Sequence, residues 1–198
     1  MRKTYVIPVI ALSAVLALSG CAAQESTAPS EAPTTAGGEI LLEHGFVDSD
    51  VVSVIAALDQ LPRDDRPSNV VASIRPNELL LADDTGREES MPMPDDEFYV
   101  SFAPYVSQTH PCHFHSLTTC TGELANTEIE LTVTNDTDGS VLVDELVTTY
   151  DTGVYGLWLP RGIDATIEVS VDGMTAATPV STSGDEDATC ITEPLQLG

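Results

Sequence analysis

A period-two alternation of apolar and polar residues in the second half of the chain most limits the fold that it can adopt. Apolar residues occupy every second position over 129–133 and again over 167–171. Such alternation places one face of a strand in a core and the other in water. Because turn residues follow at 135–139 and 172–173, we predict an antiparallel β-sandwich and expect Trp158 to fill its core.

Helical spacing precedes this β-rich half. Asp50 can cap an apolar pattern of helical period that begins at Val51 and ends before Pro62. Three short strands are then expected, over 69–74, over 78–82 and in a return strand that ends at 94.

These segments predict an α+β chain that is mostly β. We expect a small α+β unit over 39–94, followed by a β-rich domain over 95–198. The first unit has few apolar residues for a core of its own. It should therefore pack on the second region or on another copy of itself, which would make a homodimer.

The first residues have the pattern of a lipoprotein signal peptide. Arg2 and Lys3 precede an apolar run over 6–18, and Leu-Ser-Gly then leads to Cys21, which resembles a bacterial lipobox. We expect removal of residues 1–20 and acylation of Cys21. Residues 21–38 lack large apolar side chains and are predicted to be a disordered tether. The protein should then be exported and anchored to the outer face of a bacterial membrane or cell envelope.

The charge balance excludes one class of partner. The chain has 32 acidic and 7 basic residues, and Arg2 and Lys3 belong to the expected signal peptide. Binding to nucleic acid requires basic patches, so it is excluded. The same shortage of basic residues argues against charge-driven adhesion to anionic lipids, and contact with the membrane is expected only through the lipid anchor.

Metal-ligating residues are concentrated over 110–120. This segment holds three of the four histidines and two of the four cysteines, Cys112 and Cys120. Cys190 lies in the tail. With Cys21 acylated, an odd number of cysteines remains, so at least one thiol has no partner within the chain.

Several chemistries fit such a cluster. Structural zinc sites use closer cysteine pairs than the seven-residue gap between Cys112 and Cys120, so zinc is disfavoured. A thioredoxin-like site needs Cys-x-x-Cys, and no oxyanion element accompanies a nucleophile. Copper fits better, because Cu(I) accepts two or three thiolates with imidazole as a supplement, and histidines can also admit Cu(II). A thiol–disulfide oxidoreductase using Cys112 and Cys120, or a structural lipoprotein with one disulfide, stays open as an alternative.

Several motifs resemble the CueP family of extracytoplasmic copper-binding proteins. The likeness runs from about Glu39 to the end of the chain. The motifs are Phe-Tyr-Val-Ser-Phe-Ala-Pro-Tyr-Val over 98–106, Thr-His-x-Cys over 109–112, His-Ser-Leu-Thr-Thr-Cys-x-Gly-Glu-Leu over 115–124, Gly-Leu-Trp-Leu-Pro-Arg over 156–161, Cys-Ile-Thr over 190–192 and Leu-Gln-Leu over 195–197.

The resemblance implies a copper-binding protein that protects against copper stress and passes the metal to exported cuproenzymes. It also implies ligation by Cys112, Cys120 and Cys190, with His110 and His115 as candidate ligands. A V-shaped dimer joined through the N-terminal region is a further implication. At most, we expect stoichiometric reduction of Cu(II) rather than enzymatic turnover.

One residue in the cluster departs from the family pattern, in which an apolar or aromatic residue is expected at position 113. His113 is a possible further ligand, but in an extended segment it should point away from Cys112. Met91 and Met93 are expected to cover the sheet where the two regions meet, rather than to bind copper.

Overall fold

The described part of the first region contains two short α-helices, a 3-10 helix at Arg63–Asp65 and a three-stranded antiparallel sheet. The structure is a computed structural model that describes residues 38–46 and 49–198. Helix α1 covers Glu39–Glu43 and helix α2 covers Val51–Asp59. The sheet has the order β1-β2-β3, with strands at Val70–Ile74, Glu78–Asp83 and Glu88–Pro92. The predicted helix and strands are present, and α1 is an additional element.

Helix α2 begins and buries its residues as its sequence predicts. The side chain of Asp50 accepts a hydrogen bond from the backbone N–H of Ser53 at 2.9 Å, which caps the helix. Val54, Ile55 and Leu58 are buried on one face. Asp59 is buried beside them, although it carries a carboxylate.

The second region is a sandwich of two sheets. One sheet has the order β10-β4-β7 and the other the order β6-β5-β8-β9. The strands are β4 (Glu97–Phe102), β5 (Glu128–Asn135), β6 (Val141–Thr148), β7 (Tyr155–Pro160), β8 (Asp164–Val171), β9 (Met174–Ser181) and β10 (Cys190–Ile191). The alternating residues Ile129, Leu131 and Val133 lie in the core between the two sheets. The predicted mostly β fold is confirmed.

Strand β4 lies between two apolar cores. Phe98, Val100 and Phe102 belong to the sandwich core, whereas Tyr99 belongs to a second core formed with α2 and the first sheet. Met91 and Met93 are buried in this second core, as expected for residues that cover the junction.

The placement predicted for Trp158 is wrong in one respect. Its side chain is half-buried and packs on the second core rather than in the sandwich. Both faces of the sheet that contains it are covered by apolar residues. The sequence pattern of β7 therefore shows that Trp158 faces a core but not which one.

The C-terminal tail returns to the middle of the molecule. Strand β10 pairs in parallel with β4, so that Cys190 lies beside Ser101 and Ile191 beside Phe102. This pairing brings the last cysteine to the loop that follows β4. Among the described residues, no helix has the length and apolar composition needed to cross a membrane.

The described residues, 38–46 and 49–198, belong to one compact unit. The division at residue 94 and the dimer through the first region remain predictions. The signal peptide, the acylation of Cys21 and the tether up to residue 37 lie outside the described residues.

Candidate metal centre

The segment that contains the metal-ligating residues is fixed between β1 and the C-terminal tail. The backbone N–H of Ile74 donates to the carbonyl of His115 at 2.8 Å, and that of Leu117 donates to the carbonyl of Ala72 at 2.8 Å. From the other side, the N–H of Cys190 donates to the carbonyl of His113 at 3.1 Å. Strand β1 of the first region and the C-terminal tail therefore position this loop.

Three cysteine sulfurs meet where this segment contacts the C-terminal tail. Cys112 and Cys190 form a disulfide with their Cα atoms 5.6 Å apart. Cys120 is a free, buried thiol, and its Sγ lies 3.4 Å from Sγ of Cys112. All three sulfurs lie within 4.8 Å of one another. The sequence-predicted cysteines are thus brought together across a separation of 78 residues.

The three sulfurs form a triangle rather than a line. A thiolate attacks a disulfide along the axis of the S–S bond. If Sγ of Cys120 attacked Sγ of Cys112 in line from the observed 3.4 Å, the sulfurs of Cys120 and Cys190 would lie about 5.4 Å apart, given the usual disulfide bond length. The sulfurs of Cys120 and Cys190 lie within 4.8 Å of each other, which excludes that alignment. Once the disulfide is reduced, three sulfurs arranged in a triangle can all contact a single soft metal ion.

His115 lies beside the free thiol and is completely buried. Its Nε2 lies 3.0 Å from Oδ1 of Asp59, whereas Nδ1 has no hydrogen-bond partner. Burial alone would lower the pKa of His115, but the neighbouring Asp59 and Cys120 outweigh it and raise the pKa to about 9.

The surroundings of Cys120 favour its thiolate form. Burial alone would raise the pKa of the thiol, but His115 and the backbone N–H of Ser116 outweigh burial and lower it. The N–H of Ser116 donates to Sγ of Cys120 at 3.3 Å. Because the thiolate is the form that binds metals, Cys120 is suited to be a ligand.

The other two histidines lie outside the triangle of sulfurs. His110 is half-buried, with Nε2 2.9 Å from the carbonyl oxygen of Thr121 and Nδ1 3.1 Å from that of Pro111. His113 is exposed, and its Nε2 lies 2.9 Å from the carbonyl oxygen of Glu186. None of the three imidazoles, that of His115 included, belongs to the group of ligand atoms that lie within 4.8 Å of one another, which consists of the three cysteine sulfurs.

Three residues near the site were not singled out from the sequence. Asp59 contacts His115, the hydroxyl of Tyr99 donates to Asp59, and Arg66 donates to the backbone carbonyl of Cys120 at 3.1 Å. One signal could have indicated Asp59. It follows Ile55 by four residues, and a carboxylate on the apolar stripe of a helix needs a buried partner.

Glu123 fixes the loop that leads into the site. Its carboxylate accepts hydrogen bonds from the backbone N–H groups of Val106 at 2.7 Å and Ser107 at 2.9 Å, and from the Ser107 hydroxyl. The hydrogen bond from the Ser107 side chain, followed by those from the backbone, lowers the pKa of Glu123 from 4.5 to about 2.

Replacing Glu123 by glutamine should therefore lower the melting temperature at neutral pH. Because the fold depresses this pKa, the stabilisation is present above pH 4.5 and is lost as the pH falls towards about 2. Melting curves of the unaltered protein and E123Q should converge over that interval. Glu130→Gln, on an exposed position of β5, is the control. A difference between E123Q and the unaltered protein that does not vary with pH would contradict this explanation.

Comparison with known proteins identifies the family. A family profile described as periplasmic copper-binding protein CueP matches residues 53–195. The chain belongs to the CueP family. A crystal structure described as that of S.CueP matches with a TM-score of 0.74 and 39% sequence identity, over 83% of this chain and 99% of the matched chain. No curated protein sequence matches.

Membership of the CueP family selects copper among the metals considered from the sequence. The family is one of periplasmic copper-binding proteins, so copper ions are a partner and the location is extracytoplasmic. The motif resemblance to CueP is confirmed. The three cysteines that the family resemblance marks as ligands are the residues whose sulfurs meet in the structure.

Proposed function

We propose that this CueP-family protein is a lipid-anchored copper carrier that captures Cu(I) through Cys112, Cys120 and Cys190. The observation that carries the proposal is the meeting of the three sulfurs within 4.8 Å. Two or three thiolates are the ligand set that Cu(I) prefers. Zinc is a weaker candidate, because its structural sites generally have four ligands.

The disulfide adds a redox step to copper capture. When Cys112 and Cys190 are reduced, their oxidation to the disulfide releases two electrons and two protons. Two Cu(II) ions can accept these electrons and become two Cu(I) ions. The reaction is stoichiometric, and the disulfide found in the structure corresponds to its product. A dithiol reductant must restore the pair before the three-thiolate site can form again.

The histidines have separate proposed roles. His115 supports Cys120 from the buried side, where the ring lowers the pKa of the thiol. His110 is half-buried at the edge of the site and is a candidate ligand for a more exposed or divalent form of copper. The exposed ring of His113 is the weakest candidate ligand.

Anchoring and delivery complete the proposal. Acylated Cys21 would hold the protein at the outer face of the membrane, and the tether would let the folded part reach exported cuproenzymes.

Cys112 and Cys190 line a groove together with Pro179, Asp187 and Pro194. A partner with similar ligands could approach along this groove and take the copper by ligand exchange, which would protect against copper stress. We further propose that the 39–94 unit joins two copies.

Thiol–disulfide exchange is the second candidate function. The short distance from Cys120 to Cys112 favours it, since a free thiol lies within contact of a disulfide. The triangular arrangement disfavours it, because the three sulfurs are not aligned for attack. Disulfide-reductase activity without metal would support this alternative.

A Cu(I) titration tests the proposed function. The reduced full chain is titrated without oxygen against a coloured chelator, beside the same protein with its disulfide formed and beside Cys112→Ser and Cys190→Ser. We expect tight binding by the reduced protein and weaker binding by the other three. Alkylated protein is the control for adventitious binding. Failure of the reduced protein to compete with the chelator would refute the proposal.

A further inference from the structure

A buried carboxylate from the first region holds the histidine of the site. Asp59, at the end of α2, is 1% exposed, and its Oδ1 lies 3.0 Å from Nε2 of His115. The hydroxyl of Tyr99 donates to Oδ2, and a guanidinium nitrogen of Arg66 lies 3.8 Å from Oδ1. A carboxylate is removed from water only where such partners compensate it.

We infer that Asp59 is a positioning residue of the copper site, which orients His115 so that Nδ1 is directed to Cys120. The inference rests on the proposed function and extends it to a residue on the first region. In metal centres, the imidazole next to the ion commonly donates its other N–H to a carboxylate, which fixes the tautomer and the ring orientation. The pair formed by Asp59 and His115 supplies the carboxylate half of this arrangement, with Nε2 3.0 Å from Oδ1.

The two nitrogens of His115 have different surroundings. Nε2 is held by Asp59, whereas Nδ1 is buried and has no hydrogen-bond partner. The backbone on both sides of the ring is also fixed, because the N–H of His115 donates to the Thr189 hydroxyl at 2.9 Å and its carbonyl accepts from Ile74. Because Nε2 is occupied, Nδ1 is the ring nitrogen that remains available to the site.

The position of Asp59 is determined by several elements at once. Besides α2, it depends on Arg66 in the following segment, on Tyr99 of β4 and on Gly156 of β7. A Cβ at Gly156 would overlap the Tyr99 hydroxyl and lie 2.8 Å from Oδ2 of Asp59, so a side chain there would displace the pair. The absence of a side chain at 156 thus leaves the space that the Tyr99–Asp59 contact occupies.

Asp59→Asn and Tyr99→Phe separate positioning from simple structural support. Y99F removes one hydrogen bond to the carboxylate, whereas D59N removes the charge that faces His115, Tyr99 and Arg66. Only D59N therefore changes the contact with His115. We expect D59N to weaken Cu(I) binding by about 10-fold or more, the range found for outer contacts of metal ligands. Y99F should bind Cu(I) nearly as tightly as the unaltered protein, although both variants should melt at lower temperatures.

The outcomes distinguish this inference from the proposed function. If the unaltered protein competes with the chelator and folded D59N competes equally well, the inference is overturned and the function stands. Equal weakening in D59N and Y99F would also overturn it, since the loss would then follow from general loosening. If the unaltered protein does not compete, the function and the inference fall together.

A spectroscopic measurement covers the case in which D59N does not fold. Long-range ¹H–¹⁵N spectra of the reduced, unaltered full chain report which ring nitrogens of His115 carry a proton. We expect Nε2 to be protonated, and Cys120→Ser to shift the signal of Nδ1 while leaving that of Nε2 in place. A His115 that is protonated on Nδ1 alone would overturn the inference.

Discussion

Replacing Cys120 by serine should lower the affinity for Cu(I) by about 100-fold or more. Loss of a residue that only hydrogen-bonds to a metal ligand typically lowers metal affinity by about 10- to 100-fold, and loss of a ligand itself should cost more. Among the described cysteines, Cys120 is the free thiol, and its sulfur lies 3.4 Å from that of Cys112. His115 lowers the pKa of this thiol. A serine hydroxyl is nearly the same size, but it is a hard and protonated ligand that Cu(I) does not favour. The substitution therefore removes the ligand with little change in packing.

The fourth cysteine supplies a matched control. Cys21→Ser makes the same chemical change outside the cluster and should leave the Cu(I) affinity unchanged, while its product should no longer carry a lipid if Cys21 is the lipid anchor. Competition with a coloured chelator gives both affinities. Binding by C120S within threefold of the unaltered protein would show that Cys120 is not a ligand, and the site would then have to be rebuilt around Cys112 and Cys190.

Much of the fold can be predicted from local sequence patterns. The alternation at Ile129, Leu131 and Val133 depends on the pleat of one strand, so it can be recognised without knowing the partner strands. The N-cap at Asp50 is equally local, because the side chain bonds to a backbone group three residues away. The sequence does not show which core Trp158 occupies, because other segments of the chain determine which apolar residues cover each face of β7.

The candidate site depends on long-range pairing. The three cysteines were identified as a set through the family resemblance, whereas their meeting depends on the pairing of β10 with β4. Asp59 and His115 are 56 residues apart, and no spacing rule connects the end of a helix with a loop of the other region. The sequence therefore indicated the ligand types, but not the buried carboxylate behind them.

Arg66 should contribute strongly to stability, because it compensates that buried carboxylate. Its side chain is 3% exposed, and it donates at 3.1 Å both to the carbonyl of Cys120 and to the backbone carbonyl of Asp59. Arg66→Met keeps most of the volume but removes the charge and these donors. We expect the free energy of unfolding to fall by about 3 kcal/mol, as is typical when one partner of a buried ion pair is removed.

Urea unfolding of R66M measures this loss, with Arg63→Met as the control. Arg63 lies on the same segment but is exposed, so its replacement should change the free energy of unfolding by less than about 0.5 kcal/mol. A similar small effect in R66M would refute the proposed role of Arg66.

The double variant R66M/D59N tests whether Arg66 stabilises the protein by compensating the charge of Asp59. The loss in R66M should arise largely from the charge left on Asp59, and asparagine at that position removes this charge. We therefore expect R66M/D59N to be more stable than the sum of the two single losses predicts, by about 1 kcal/mol or more, since residues in one buried network do not act independently. Strict additivity would instead mean that Arg66 stabilises the protein mainly through the two backbone carbonyls, and that the charge of Asp59 is balanced by His115 alone.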